Sequence, residues 1–302
     1  MPVRTPSPAV LALLLVVAAL SGCAQVGWLA VSAGDGFTCG IDADSVLECW
    51  GYNPDGTLNP PAGTFTSLDA GKDWDACAID TSGVTRCWGP ASSALLNPPD
   101  TALTSLSVGS GVACGIDHAG AIGCWGDPLF TAWGCDNPGC DCHSDAICYV
   151  NAAPPSGKFT SVSVGSSAAC AIDTSQSLVC WGDNSANSGG LSTPPGGRFT
   201  AVSLGDGGAC ALDTDGTAQC WGAPRLTAPP EPLTSISVGL YEACGVDLGG
   251  AVHCWGEGSD VSPPPADTFR SVSVGYLHQC GVDTHGDVQC WGEEHDGEAT
   301  PP

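Results

Sequence analysis

Apolar and small residues alternate in a segment that recurs seven times along the chain, clearest at Cys210-Ala-Leu-Asp-Thr-Asp-Gly-Thr-Ala-Gln-Cys220-Trp221-Gly222. Counted from the first cysteine of each copy, position +2 is always aliphatic (Ile41, Ile79, Ile116, Ile172, Leu212, Val246, Val282), whereas +1 is always Gly or Ala. A period of two is the signature of a strand. The cysteines pair as Cys39/Cys49, Cys77/Cys87, Cys114/Cys124, Cys170/Cys180, Cys210/Cys220, Cys244/Cys254 and Cys280/Cys290, always ten positions apart, and Trp-Gly follows each second cysteine. If the two cysteines face each other across an antiparallel hairpin, +1, +2 and +3 oppose +9, +8 and +7, and a three-residue loop remains. The +2 residues then meet Leu47, Thr85, Ile122, Leu178, Ala218, Val252 and Val288 on one apolar face. The other face sets the small +1 residue beside the recurring tryptophan, which lets the next unit pack closely, so both faces are expected to be buried.

A three-residue hairpin loop favours a type I turn followed by a residue at positive φ, so glycine belongs at +6. Gly83, Gly120, Gly216, Gly250 and Gly286 obey, while Ser45 and Gln176 stand as exceptions where strain or a different turn is expected. Directly opposed residues lie about 4.5–5.5 Å apart, within disulfide reach, so seven hairpin disulfides are expected, each worth roughly 2–4 kcal/mol. The recurring Asp at +3 (Asp42, Asp80, Asp117, Asp173, Asp213, Asp247, Asp283) is read as a turn residue that satisfies backbone N–H groups, in preference to a calcium ligand.

The tryptophans Trp50, Trp88, Trp125, Trp181, Trp221, Trp255 and Trp291 are spaced 38, 37, 56, 40, 34 and 36 residues apart. Repeats of this length with several short strands mark a β-propeller, in which blades bury one another's faces around an axis. Each unit reads as a leading strand (Phe159-Thr-Ser-Val-Ser-Val-Gly165), a loop, the cystine hairpin, and a connection closing on Pro-Pro (Thr193-Pro194-Pro195). The pattern Val-Ser-x-Gly, four residues, Cys-[Ala/Gly]-[Ile/Val/Leu], turn Gly, Cys-Trp-Gly resembles the regulator of chromosome condensation (RCC1) repeat, in the secreted bacterial variety that carries the extra cysteine pair. The resemblance covers residues 28–302 and implies an all-β, seven-bladed β-propeller. Its usual Gly-Gln-Leu-Gly after the tryptophan strand is missing, and Pro-rich connections stand there instead, which leaves the outer edge of each blade open. The family's eukaryotic founder is a nuclear exchange factor on chromatin, a role that nothing in this chain supports. Secreted propellers of this fold that inhibit β-lactamases imply only that the scaffold suits protein recognition.

The N-terminus adds an address. Met1–Pro8 contains Arg4, Ala9–Leu20 is an unbroken apolar run of twelve, and Leu20-Ser21-Gly22-Cys23 follows. Twelve residues are too few to span a bilayer, so residues 1–22 read as an export signal. Leu-Ser-Gly-Cys resembles the lipobox of bacterial lipoproteins. The resemblance implies that Cys23 is lipidated and becomes the mature N-terminus, that residues 23–27 form a short tether close to the membrane, and that Ala24 directs the protein to the outer membrane rather than the inner one. Cysteine parity agrees: of 19 cysteines, removal of Cys23 leaves an even number, all of which can pair in an oxidising compartment.

With 7 Lys+Arg against 32 Asp+Glu the formal charge is −25, and −26 once Arg4 leaves with the signal. Nucleic acid is therefore excluded as a partner and anionic membrane surfaces are disfavoured. The loop before each first cysteine and the connection after each Trp-Gly emerge on one face, and there the repeats stop being alike. Bulky loops in units six, seven, one and two present Tyr241, Tyr276, Phe37 and Trp74, an aromatic crescent that reads either as a binding face or as packing under the loops. An insert at about 127–158 carries Cys135, Cys140, Cys142 and Cys148. Their spacing lacks a zinc knuckle, so two disulfides of unknown pairing are expected and no metal site is assigned. His278 is read as a structural buttress. No cofactor motif and no catalytic triad is recognised. The expectation is a monomeric, lipid-anchored, extracytoplasmic module that binds a protein or surface polymer. The alternatives are a structural envelope component and an enzyme acting on polysaccharide through Asp35, Asp73, Asp75 and Glu242 at the mouth of the axis.

Overall fold

The computed structural model describes residues 27–53, 56–90, 93–126, 154–182, 190–222, 226–256 and 263–302. These form seven three-stranded antiparallel sheets, each built from consecutive strands. In the first, β1 (Trp28–Ala33) pairs with β2 (Phe37–Asp42), which pairs with β3 (Leu47–Gly51). The other six repeat this order over 65–88, 103–126, 159–182, 199–222, 233–256 and 269–292. First strands of successive blades touch one another, and that of blade seven touches β1, so the seven sheets close into a ring about a central axis.

The hairpin register is the one the cysteine spacing predicts. Cys39 lies opposite Cys49, Gly40 opposite Glu48 and Ile41 opposite Leu47, and the same pairs recur in every blade. All seven disulfides are formed: Cys39–Cys49, Cys77–Cys87, Cys114–Cys124, Cys170–Cys180, Cys210–Cys220, Cys244–Cys254 and Cys280–Cys290. Their Cα atoms lie 4.0–4.1 Å apart, closer than the separation expected for opposed residues. The reason is register: the Asp42 N–H bonds to the Val46 carbonyl, and counting back by alternate pairs makes Cys39/Cys49 a non-hydrogen-bonded pair, the closer of the two kinds.

The expectation that both faces of each hairpin are buried requires a correction. The first cysteines Cys39, Cys77, Cys114, Cys170, Cys210, Cys244 and Cys280 are fully buried. Their partners Cys49, Cys87, Cys124, Cys180, Cys220, Cys254 and Cys290 are only half-buried. These partners lie on third strands, which form the outer edge of every described sheet and have a neighbouring strand on one side alone.

At every turn the +3 aspartate accepts backbone N–H bonds from +5 and +7, as Asp213 does from Asp215 and Thr217, both at 2.9 Å. Ser45 and Gln176 adopt the same turn as the glycines, at φ 66° and 69°. Left-handed backbone costs a residue with a Cβ roughly 1–2 kcal/mol. Ser45→Gly and Gln176→Gly are therefore each expected to raise the thermal midpoint by about 2–4 °C, read by calorimetry on the purified protein.

Two details go beyond the sequence reading. Every first strand bulges after its leading residue, so Trp28, Phe65, Leu103, Phe159, Phe199, Leu233 and Phe269 all turn into the core. The small +1 residue makes room for that leading side chain: a Cβ on Gly40 would lie 2.5 Å from the Trp28 ring, and one on Gly115 2.3 Å from Leu103. The recurring tryptophan instead lies opposite the residue before the first cysteine, as Trp125 does opposite Ala113. Between blades, the face carrying Cys39, Ile41 and Leu47 packs against Phe65, Ala76, Ala78 and Trp88 of the next blade. Cys280, Val282 and Val288 of blade seven pack on Trp28 and Trp50 in the same way, which closes the ring.

Two connections and the C-terminal segment share one device. The indole N–H of Trp88 donates to the Thr57 carbonyl at 2.9 Å, and that of Trp221 to Leu191 at 2.9 Å. Trp50 of the first blade donates to Glu298, near the end of the chain, at 3.0 Å. Each acceptor follows a glycine at positive φ, namely Gly56, Gly190 and Gly297, and begins a turn running to Pro-Pro. The C-terminal segment thus does for blade one what the connections do for blades two and five.

Candidate functional site

Two faces of the ring differ. The seven cystine hairpins turn on one, here the hairpin face. The loops between first and second strands, and the exits of the third strands, lie on the other, here the loop face. Chain direction fixes this: each first strand runs from the hairpin face to the loop face, and Trp28 N–H at its start bonds to the carbonyl of turn residue Gly286 at 2.7 Å.

On the loop face each first strand ends in a glycine: Gly34, Gly71, Gly109, Gly165, Gly205, Gly239 and Gly275. A Cβ on any of them would meet the carbonyl oxygen of the next glycine, at 1.9 Å for Gly205 on Gly239 and 2.5 Å for Gly275 on Gly34. Beneath this glycine ring a second ring ties the blades together. The N–H of the residue before the glycine donates to the serine of the preceding blade's first strand, from Ala33 to Ser273 at 2.9 Å through to Val274 to Ser237 at 2.9 Å. One position departs from serine. Asp69 occupies it in blade two, accepting from Val108 N–H at 2.7 Å and from the Ser32 hydroxyl at 3.2 Å.

These strands line an axial cavity of about 270 Å³, whose mouth carries Asp35, Lys72, Asp206, Leu240 and Tyr276. The Lys72 ammonium reaches from blade two to Asp206 of blade five at 2.6 Å, and Ser166 donates to the same carboxylate. Burial pushes Asp35 above the ordinary carboxylate range, and the nearby charges of Asp73 and Asp206 push it further. Burial also raises Asp69 to about 6, against the opposing pull of its hydrogen bonds and of Lys72. A carboxyl raised on folding favours the protonated form in the folded state, so its contribution to stability is full below about pH 4 and is lost as pH rises toward 6. Asp69→Ser restores the serine of the other six blades. It is expected to stabilise the fold by about 1–3 kcal/mol at pH 7.5 and by little at pH 4, as measured by thermal unfolding at both values.

The four carboxylates of the catalytic alternative do not gather. Asp75 is buried between blades, accepts from Ser93 at 2.9 Å and is raised to about 6 by burial. Glu242 faces blade seven, accepts from the Gln279 amide and is raised to about 7 by burial. Only Asp35 and Asp73 stay near the mouth, and Asp73 accepts from Ser110 at 2.6 Å.

The aromatic crescent is three rings, not four. Trp74 is 37% exposed, Tyr276 44% and Tyr241 61%, whereas Phe37 is fully buried. Phe37 is the first residue of β2, two before Cys39 and on the same side of the strand, so it points into the next blade, and its ring fills the space that Gly34 leaves open. His278 occupies the matching position in blade seven and is buried too, its Nε2 2.7 Å from the Thr38 hydroxyl, with burial lowering its pKa to about 4. In place of Phe37 the structure offers Tyr52, 42% exposed, whose ring packs edge-on against Trp74 with centroids 6.2 Å apart. Its signal was its place directly after the first Trp-Gly, where a connection emerges on this face. Trp74 itself sits at φ 60°, the left-handed position that Gly36 and Gly111 take in the flanking blades.

Cys23 and the insert cysteines Cys135, Cys140, Cys142 and Cys148 lie outside the described residues. Among the described residues no group of three or more His, Cys, Asp or Glu is placed to hold a metal ion, and no helix is long and apolar enough to cross a membrane.

Fold and faces together define a seven-bladed β-propeller with one cystine hairpin per blade. Two of its units, residues 159–187 and 269–298, match the Regulator of chromosome condensation (RCC1) repeat, as the cysteine and tryptophan pattern implied. The fold is shared with the entire ectodomain of the Physcomitrella patens receptor kinase CR4, at TM-score 0.73 and 22% identity over 89% of this chain and 74% of that one. It is also shared with the CRINKLY WD40 ectodomain of the Arabidopsis thaliana receptor kinase ACR4, at TM-score 0.69 and 23% identity over 90% and 98%. Prp20p of Saccharomyces cerevisiae aligns at TM-score 0.52 and 16% identity over 90% and 76%. No curated protein matches the chain.

Proposed function

We propose that the chain is an extracytoplasmic, lipid-anchored propeller that binds another protein through its loop face, without chemistry of its own. The observation that carries this reading is the exposure of Tyr52, Trp74, Tyr241 and Tyr276 on the one face where the blades differ. Large aromatic rings held in water are the composition of an interface centre.

Seven disulfides support an oxidising compartment, the one an export signal would lead to. The first strand begins at Trp28, on the hairpin face, five residues after Cys23 in the sequence. An anchor there turns the hairpin face toward the membrane and the aromatic face away from it, where a partner can reach it. The exposed Arg270 and Lys158 also lie on the membrane-proximal side.

The test is capture of partners from envelope extract by full-length protein beside a Trp74→Ala/Tyr241→Ala/Tyr276→Ala variant of matched thermal stability. A protein retained by the first and lost by the second supports the reading. Equal retention, or none, contradicts it. In the same cells Cys23→Ser is expected to move the protein from the membrane fraction to the soluble one, and continued membrane association would remove the lipid anchor from the account.

A further inference from the structure

We propose, building on the binding face above, that its occupant is a protein segment bearing arginine or lysine side chains. Charge is distributed unevenly between the two faces. Among the described residues Arg86, Lys158, Arg198 and Arg270 all lie at the hairpin end, next to the turns. On the loop face the described Lys and Arg residues come down to Lys72, and Asp206 already holds its ammonium at 2.6 Å. Tyr52, Trp74 and Tyr276 therefore stand among carboxylates with no free cation beside them among the described residues.

The carboxylates are interleaved with the rings. Asp73 precedes Trp74 in the same loop and is exposed. Asp35 lies between Tyr276 and Tyr52 around the ring: Tyr276 N–H bonds to the Gly34 carbonyl at 3.2 Å, and Tyr52 N–H to that of Gly36 at 2.8 Å. Glu293 N–H bonds to the Leu277 carbonyl at 2.9 Å, which sets an exposed carboxylate, 3.0 Å from the His295 Nε2, beside the Tyr276 loop. Asp35 and Asp73 repel each other, one cause of the raised affinity of Asp35 for protons, so an incoming positive charge relieves a repulsion already present.

Ring faces and carboxylates together select cations. A guanidinium or ammonium over Tyr or Trp gains about 0.5–2 kcal/mol, and a carboxylate alongside adds a charge-assisted hydrogen bond. Arginine is favoured over lysine, because its planar head stacks on a ring and pairs with a carboxylate at once. A neutral glycan would use the rings but gain nothing from the carboxylate excess, and an acidic segment would be repelled.

The test uses labelled twelve-residue Gly/Ser peptides carrying four Arg, four Lys, four Gln or four Glu, titrated by fluorescence anisotropy into purified full-length protein. The Arg peptide is expected to bind most tightly and to weaken about tenfold between 20 and 200 mM NaCl. Tyr52→Ala/Trp74→Ala and Asp35→Asn/Asp73→Asn should each weaken it by about tenfold or more. Asp44→Asn/Asp215→Asn removes the same charge from the hairpin face and should leave affinity within about twofold. Equal binding of the Gln or Glu peptide, equal loss in the hairpin-face variant, or no binding of the Arg peptide overturns the proposal. If the Arg peptide fails while a captured partner is still lost on removal of the rings, the binding face stands and its cationic specificity falls. If both fail, the face itself is not a binding site.

Discussion

Gly205→Ala is expected to lower the stability of the whole ring by roughly 3 kcal/mol or more, a drop on the order of 10 °C in the thermal midpoint. The added methyl would sit 1.9 Å from the Gly239 carbonyl oxygen and 3.0 Å from Val238. The first obstacle is backbone, so no rotamer change relieves it, and separating blades five and six strains a ring in which all seven glycines touch their neighbours. Gly196→Ala, in the connection leading to the same blade, is the control: a Cβ there meets nothing within 4 Å. It should be neutral or slightly stabilising, because alanine loses less backbone entropy on folding. Equal midpoints for the two variants would mean that the blades are not in contact at the axis.

Removal of residues 293–302 should have an effect of similar size, concentrated in blade one. The carbonyl of Glu298 accepts from both the Trp50 indole and the Thr38 hydroxyl at 3.0 Å, and Thr38 in turn meets buried His278 of blade seven. Truncation leaves the Trp50 indole N–H without its acceptor and strips the Thr38 hydroxyl of one of its partners at the seam where the ring closes, the unpaired buried indole alone costing about 1–3 kcal/mol. Hydrogen exchange should accelerate over 28–51 before any other blade. Glu298→Ala keeps the backbone carbonyl and removes only the carboxylate bonds to the His295 and Asp296 N–H groups. It should cost about 1 kcal/mol. A side-chain variant as damaging as the truncation would contradict the assignment of closure to the backbone.

Most of the fold was legible because its signals are local and repeated. Ten-residue cysteine spacing, alternation and turn glycines together fix the hairpin register, and Ser45 and Gln176 show the register holding even where the preferred residue is absent. Burial of the third strand was not legible from the same pattern, because alternation reports which side of a strand is apolar and not whether another strand lies beyond it. Closure was harder still to read, because it rests on a backbone carbonyl that any residue supplies. Its trace in the sequence is the shared Gly-x-x-[Asn/Thr]-Pro-Pro at Gly56, Gly190 and Gly297, which stands where the family's Gly-Gln-Leu-Gly would be. At the site, spacing alone could not separate a loop residue from the first residue of the strand that follows. Phe37 was grouped with Trp74 for its bulk, although one position of offset sends its ring into the core. Tyr52 lies in a connection whose length varies, so no alignment of repeats picked it out. Asp69 was visible as the single departure from a serine in every other first strand, a signal that means little until the strands are seen to share an axis.

The central claim, that the loop face is where this propeller meets another protein, is tested most directly by photocrosslinking in living cells. Blade six offers a matched pair of sites: Tyr241 on the loop face, 61% exposed, and Leu248 in the hairpin turn, 80% exposed. A benzophenone amino acid at Tyr241 is expected to give a discrete protein adduct on irradiation, and the same group at Leu248 none. Adducts from Leu248 alone, or from neither position, would contradict the account.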